Sequence, residues 1–205
     1  MIIELVGPPG AGKSTLVPGL ASHLAHRGAE VTKLREGHAS RWRKHGARAW
    51  AVACNPGLAQ RAVPLARRAP AQGIGRLVVL DQRLRGLARR PGWWLVDGGC
   101  WHRLLWATAF QDRSADARAL GDRLTAPDVF LYVAVDPDVA LTRAFGQDRR
   151  KVSKKVGPGA ARDGVVRYHE LAQELLPRTG ARVVEFTGDL ARAAAEIEQA
   201  VGSDV

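Results

Sequence analysis

The sequence predicts an α/β fold three layers deep, with helices on both faces of a parallel sheet. Three observations predict it. Five short apolar runs alternate with segments of helical periodicity. The runs are continuous and do not alternate with polar residues, as strands covered on both faces require. The first run leads into a glycine-rich turn that opens a helix. Strand–helix–strand units of this kind close right-handed and lay their strands parallel.

Strands are expected at Ile2 to Val6, Val31 to Leu34, Trp93 to Val96, Val129 to Val135 and Val183 to Phe186. After the first, Leu16, Leu20 and Leu24 recur every fourth residue, and Gly28 stands where a C-terminal cap belongs. Pro18 interrupts that helix early and is expected to bend or loosen its first turns. From about 37 to 91 the chain is rich in Arg and Ala and is broken by Asn55-Pro56-Gly57 and Pro70. This stretch reads as a helical insertion, with Leu77 to Leu80 its one strand-like run. Val165, Val166, Tyr168, Leu171, Ala172, Leu175 and Leu176 mark a later helix ended by Pro177, and Leu190 to Val201 form the last. Residues 1–205 therefore suit one domain without internal repeats.

Composition narrows the function. No apolar run approaches the roughly 20 residues that span a bilayer, so no membrane role is expected. The N-terminus shows no signal-peptide pattern, and the cytoplasm is the expected address. Cys54 and Cys100 supply neither a disulfide framework nor a zinc quartet and read as inert thiols. The net charge of +11 admits two readings. One is a surface for polyanions such as nucleic acid. The other is compositional bias, since 25 of the 31 basic residues are Arg. The second is taken for the chain as a whole, and a ligand role is kept for local clusters.

The turn after the first strand reads Gly7-Pro8-Pro9-Gly10-Ala11-Gly12-Lys13-Ser14. The pattern Gly-x4-Gly-Lys-Ser between a strand and a helix is a phosphate-binding loop of the Walker A type. Its amides point at phosphate oxygens and are helped by the positive end of the helix. Gly7, Gly10, Ala11, Gly12, Lys13, Ser14 and Thr15 are the expected ATP-binding residues. Lys13 is expected to face solvent and reach the β- and γ-phosphates, and the Ser14 hydroxyl to ligate Mg²⁺. A GTPase would need Asp-x-x-Gly and Asn-Lys-x-Asp, and neither occurs.

Further segments extend the pattern. The second strand ends Lys33-Leu34-Arg35-Glu36-Gly37, the third Trp93-Trp94-Leu95-Val96-Asp97-Gly98-Gly99, and the fourth runs into Asp136-Pro137-Asp138-Val139-Ala140-Leu141-Thr142-Arg143. Together with the phosphate loop they resemble the P-loop nucleoside and nucleotide kinases, with thymidylate kinase and the deoxynucleoside kinases as nearest shapes. The resemblance implies a five-stranded P-loop NTPase sheet in the order 2-3-1-4-5, Mg·ATP as donor and a small-molecule phosphoryl acceptor. Gly37-His38-Ala39 stands where thymidylate kinases have Pro-Gly-Gly, and Asp97 is followed by Gly-Gly. The acceptor is therefore left open among nucleoside-, nucleotide- and sugar-like molecules.

Each candidate has a bland alternative. Asp97, at the end of a buried strand, can hold the Mg²⁺ shell or take a proton from the acceptor, or can simply cap the next helix. Glu36 is the second candidate base or an ordinary loop carboxylate, and Arg35 a phosphate clamp or a surface arginine. Arg143, Arg149 and Arg150 belong to a basic segment, about 143–159, with Gly146, Gly157 and Gly159 as flexible ends. It is expected to close as a lid over the moving phosphoryl group, the alternatives being a solvated loop or a nucleic-acid contact. Trp101 is expected to stack on a ring of the acceptor, with His102 and Arg103 contacting it from the same turn. His169 reads as a surface residue. A polynucleotide-directed kinase or RNA-binding ATPase, and a nucleotide-gated binding protein without transfer chemistry, are the rival functions. A homodimer is left open.

Overall fold

The structure, a computed structural model, describes residues 1–32, 56–57, 74–110, 114–152 and 158–202. Its five strands are β1 Ile2–Val6, β2 Ala29–Thr32, β3 Trp93–Asp97, β4 Val129–Tyr132 and β5 Arg182–Glu185. They form one parallel sheet in the order β2-β3-β1-β4-β5. β1 is the middle strand, with Leu5 opposite Asp97 of β3 and Val6 opposite Tyr132 of β4. The carboxyl edge of the sheet thus sets the end of β1 beside the end of β3.

The helices are α1 Lys13–His23, α2 Ile74–Ala88, α3 Cys100–Ala109, α4 Ser114–Gly121, α5 Pro137–Val152, α6 Pro158–Leu175 and α7 Leu190–Gly202. Side-chain alternation along β1 divides the core between them. Ile3 and Leu5 join Val17, Leu20 and Leu24 of the α1 region and Ala194 and Ile197 of α7 on one face. Ile2 and Val6 point the other way, to Leu80 and Leu84 of α2, Leu104 and Leu105 of α3, and Leu171 and Leu175 of α6. Each such fully buried Leu contributes about 1.5–3 kcal/mol of transfer free energy, so both helical layers hold the sheet. Glu4 lies between Ile2 and Val6 in the chain, pointing with them, and is fully buried.

Four expectations need correction. Leu77 to Leu80 belong to helix α2 and not to a strand. All four are buried, so helix α2 presents apolar residues all round there and loses the 3.6-residue period that marks an amphipathic helix. Gly28, with φ 66°, closes a 3₁₀ turn at Ala25–Arg27 instead of capping α1 itself, which continues through Pro18 to His23. The expected lid is helical over residues 143–152, with Gly146 inside α5 and Gly159 inside α6, so these two glycines are not flexible ends. The second strand begins two residues before its expected start, at Ala29. Among the described residues no helix is long and apolar enough to cross a membrane.

Candidate active site

The loop between β1 and α1 is tight because two glycines allow it. At Gly10 a Cβ atom would lie 2.1 Å from the Ala140 carbonyl oxygen, so only glycine lets the first turn of α5 rest on the loop. Gly12 has φ 84°, a left-handed conformation that side chains resist, and it is the N-cap of α1. No side chain caps α1 and no acidic residue sits in its first turn, so its amides remain available to an anion.

Lys13 does not face solvent as expected. Its Nζ folds back and donates to the carbonyls of Gly7 at 2.6 Å and Pro8 at 2.9 Å. Burial lowers its pKa to about 8, against the opposing pull of Asp97. The next side chain, Ser14, donates its hydroxyl to Asp97 Oδ2 at 3.0 Å. That contact joins the glycine loop to the end of β3, 83 residues away in sequence. Asp97 makes no cap. The helix that follows it begins after Gly99 and has no capping side chain from its own segment.

The carboxylate at the start of α3 comes instead from β1. Glu4 Oε1 accepts the His102 amide at 2.9 Å, and the Trp101 amide also favours the charged carboxylate. Burial outweighs these amides and, with Asp81 adding to it, raises the Glu4 pKa to about 8. A Cβ at Gly99 would stand 2.4 Å from Glu4 Cδ, so glycine is also what lets α3 come down onto the carboxyl group. Sequence reasoning missed Glu4, although the signal was present as the single charge inside an otherwise apolar central strand.

α3 turns its first residues inward. Trp101 is 2% exposed, with its indole N–H donated to the Thr125 carbonyl at 3.0 Å and its ring edge-on to Phe130. The expected stacking on an acceptor is therefore corrected: Trp101 is core. His102 Nδ1 lies 2.9 Å from the Tyr168 hydroxyl, which accepts the Gly7 amide at 3.0 Å. Burial holds the His102 pKa well below its usual value, Lys13 and Arg103 push it further down, and the Gly7 carbonyl opposes them. The Arg103 guanidinium lies 5.8 Å from the Trp106 ring centroid. The Cys100 thiol is buried beside Glu4 and Asp81, which keeps it protonated and inert.

Across the loop, Asp136 Oδ1 caps α5 by accepting from Asp138 N and Val139 N at 2.9 and 3.2 Å. Arg143 is exposed on this helix, and Arg149 and Arg150 follow on the same helix. The candidate lid cations thus ride on an element whose base touches Gly10. His169 is not a surface residue: it is half-buried, accepts from the Tyr132 hydroxyl at Nδ1 and donates from Nε2 to Val135 O at 2.9 Å. Arg35, Glu36 and Cys54 lie outside the described residues.

No family model and no curated protein matches the chain. Solved structures do. Deoxyadenosine kinase from M. mycoides with bound dATP is 14% identical, over 98% of this chain and 100% of that one, with a TM-score of 0.57. The same enzyme with products dCMP and a flexible dCDP bound is 17% identical, over 99% and 100%, with a TM-score of 0.59. Shikimate kinase from Acinetobacter baumannii in complex with shikimate is 17% identical, over 99% and 93%, with a TM-score of 0.50. At these identities the likeness is one of fold, and the fold is that of P-loop kinases.

Proposed function

We propose that the chain is an ATP-dependent phosphotransferase that moves the γ-phosphoryl group of Mg·ATP to a small nucleoside-, nucleotide- or sugar-like acceptor. The observation that carries the proposal is the Ser14–Asp97 contact at 3.0 Å, next to Lys13 in a glycine loop at an uncapped helix end. A hydroxyl and a carboxylate converging at a phosphate loop form an all-oxygen donor pair suited to Mg²⁺. When bound, the ion would neutralise charge on the phosphates. The kinase fold of the neighbours, one with a deoxynucleotide and one with shikimate, agrees with this class of chemistry.

In this reading the loop amides from Gly10 to Ser14 cradle the phosphates, and Lys13 exchanges the Gly7 and Pro8 carbonyls for phosphate oxygens. The ammonium is held in place by the loop itself, so the exchange requires rotation of one side chain and no movement of the backbone. Asp97 takes the proton of a hydroxyl acceptor, or Glu36 does; a phosphate acceptor needs no strong base. Arg143, Arg149 and Arg150 approach the transferring group from α5, while Arg35 and Arg103 serve the acceptor.

The test is a screen of nucleosides, nucleotides, sugars and other small alcohols with Mg·ATP, read as ADP release and confirmed by the mass of the product. ATP binding without any product would leave a nucleotide-gated binding protein. Replacing both Arg149 and Arg150 with Ala separates the polyanion reading. A lid loses kcat by on the order of a thousandfold with ATP affinity retained. A nucleic-acid surface keeps kcat on small acceptors and loses salt-sensitive RNA affinity.

A further inference from the structure

The loop after β1 is tied from behind by two side chains, Tyr168 and His102, that touch neither Lys13 Nζ nor the Ser14–Asp97 pair. Gly7 opens the loop, and its amide can only donate. It donates at 3.0 Å to the hydroxyl of Tyr168, a residue of α6 that is 0% exposed. A buried phenol that accepts one hydrogen bond must still place its own proton. Among the described residues, the partner available for it is His102 Nδ1 at 2.9 Å, on α3. The direction of the chain is therefore fixed: Gly7 N–H to Tyr168 O–H to His102 Nδ1. Three elements that begin or pass at the carboxyl edge of the sheet meet in one relay.

We propose that Tyr168 and His102 are positioning residues of the phosphate loop, the phenol holding the Gly7 amide and the imidazole fixing the direction of the phenol proton. The inference rests on the nucleotide-binding reading of the loop. Gly7 serves the loop twice, because its carbonyl also holds Lys13 Nζ at 2.6 Å. The residue is thus held through both flanking peptide groups, by Tyr168 at its amide and by Lys13 at its carbonyl. When Lys13 leaves for a phosphate, the Tyr168 bond keeps the loop in shape.

The surroundings favour this protonation pattern. Burial raises the Tyr168 pKa well above that of a free phenol, with Glu4 and Tyr132 adding to it and the Gly7 amide opposing, so the hydroxyl keeps the proton it donates. Burial first, then Lys13 from α1 and Arg103 from α3, disfavour a cation at His102, with the Gly7 carbonyl opposing. A neutral imidazole carrying its proton on Nε2 is the form that can accept at Nδ1. The Nδ1–H tautomer and the imidazolium would leave the buried phenol proton without an acceptor.

The first readouts need no ligand. In the full chain near pH 7, nitrogen chemical shifts should show His102 unprotonated at Nδ1 and protonated at Nε2. Tyr168→Phe should speed amide exchange at Gly7 about tenfold, the loss of one buried hydrogen bond, with the far-UV spectrum unchanged. The same loss should weaken binding of Mg·ATP about tenfold, since the loop amides are then less well ordered. His102→Leu should reproduce both effects. His102→Asn should restore them, because the Asn oxygen replaces Nδ1 as acceptor at the same branch point. A proton found on Nδ1, or Gly7 exchange unchanged in both Tyr168→Phe and His102→Leu, overturns the relay. So does a His102→Asn protein as impaired as His102→Leu, which would make the ring a packing element. If the wild-type chain binds no ATP while exchange and tautomer behave as stated, the relay stands and the nucleotide reading fails. Should Tyr168→Phe not fold, the His102 pair and the tautomer decide alone.

Discussion

Two helices begin side by side at the carboxyl edge of the sheet, and their first turns have opposite fates. α1 and α3 each follow a strand and a glycine, and neither has a capping side chain of its own or an acid in its first turn. Both therefore present unsatisfied amides and a positive dipole end. At α3 the deficit is met from inside, because the buried Glu4 carboxyl lies against the amides of Trp101 and His102. At α1 it is left open, with Lys13 parked on two carbonyls and Ser14 on Asp97. The lesson is that a helix N-terminus is a site only where the fold has not already supplied an acceptor for its amides. Glu4 makes α3 structural, and the absence of any counterpart leaves α1 for a ligand.

The largest effect should come from the open end. Lys13→Ala should lower turnover by on the order of a thousandfold or more, about 4 kcal/mol of barrier, with circular dichroism unchanged. Near-normal turnover in the folded variant would remove the phosphotransferase reading and, with it, the contrast between the two helices.

The closed end should answer to pH instead. Unfolded, Glu4 ionises near 4.5; folded, it holds its proton to about 8. Across that interval the folded chain binds more protons than the unfolded one, so this group makes stability fall as pH rises, levelling off above about 8. Glu4→Gln keeps an acceptor for the His102 amide and deletes the titration. It should gain about 2–4 kcal/mol over wild type at pH 8, and the gain should vanish near pH 4.5. Denaturant melts at several pH values measure this, and a pH-independent difference would mean that Glu4 does not titrate in this range.

A smaller effect tests how α3 is seated on its internal carboxyl group. Gly99→Ala should cost about 1–3 kcal/mol, since the backbone there is extended and the three atoms nearest to a methyl group all belong to the Glu4 carboxyl. In a Glu4→Ala background the same change should cost little. Additive losses in that double-mutant cycle would place the strain elsewhere.

The smallest effect returns to α1. Asp97→Asn should raise the Mg²⁺ concentration needed for half-maximal activity about tenfold at saturating ATP, as loss of one charged oxygen ligand implies. An unchanged magnesium titration would reduce Asp97 to a hydrogen-bond partner of Ser14.

Legibility followed distance along the chain. The glycine loop between β1 and α1 could be read because its residues are consecutive and answer to local demands of backbone geometry. Asp97 could be read because a carboxylate ending an apolar strand is conspicuous on its own. Leu77 to Leu80 were misread because burial on all sides erases periodicity, and Trp101 because an aromatic beside a candidate site looks the same in sequence whether it faces ligand or core. His102 was noticed, but for an outward role that the Tyr168 contact reverses.

The sequence by itself determined the parallel sheet, the glycine loop that joins β1 to α1 and the strand-end aspartate, because short-range patterns of burial, glycine and charge specify each of them. Only the tertiary structure decided which helix end stays open, where the Lys13 ammonium rests, and that Glu4, His102 and Tyr168 converge behind the loop. The last contact spans 161 residues between Tyr168 and Gly7. Hydrogen bonds have a reach of about 3 Å and no memory of sequence separation, so such partners are chosen by how helices pack on the sheet and leave no trace in local composition.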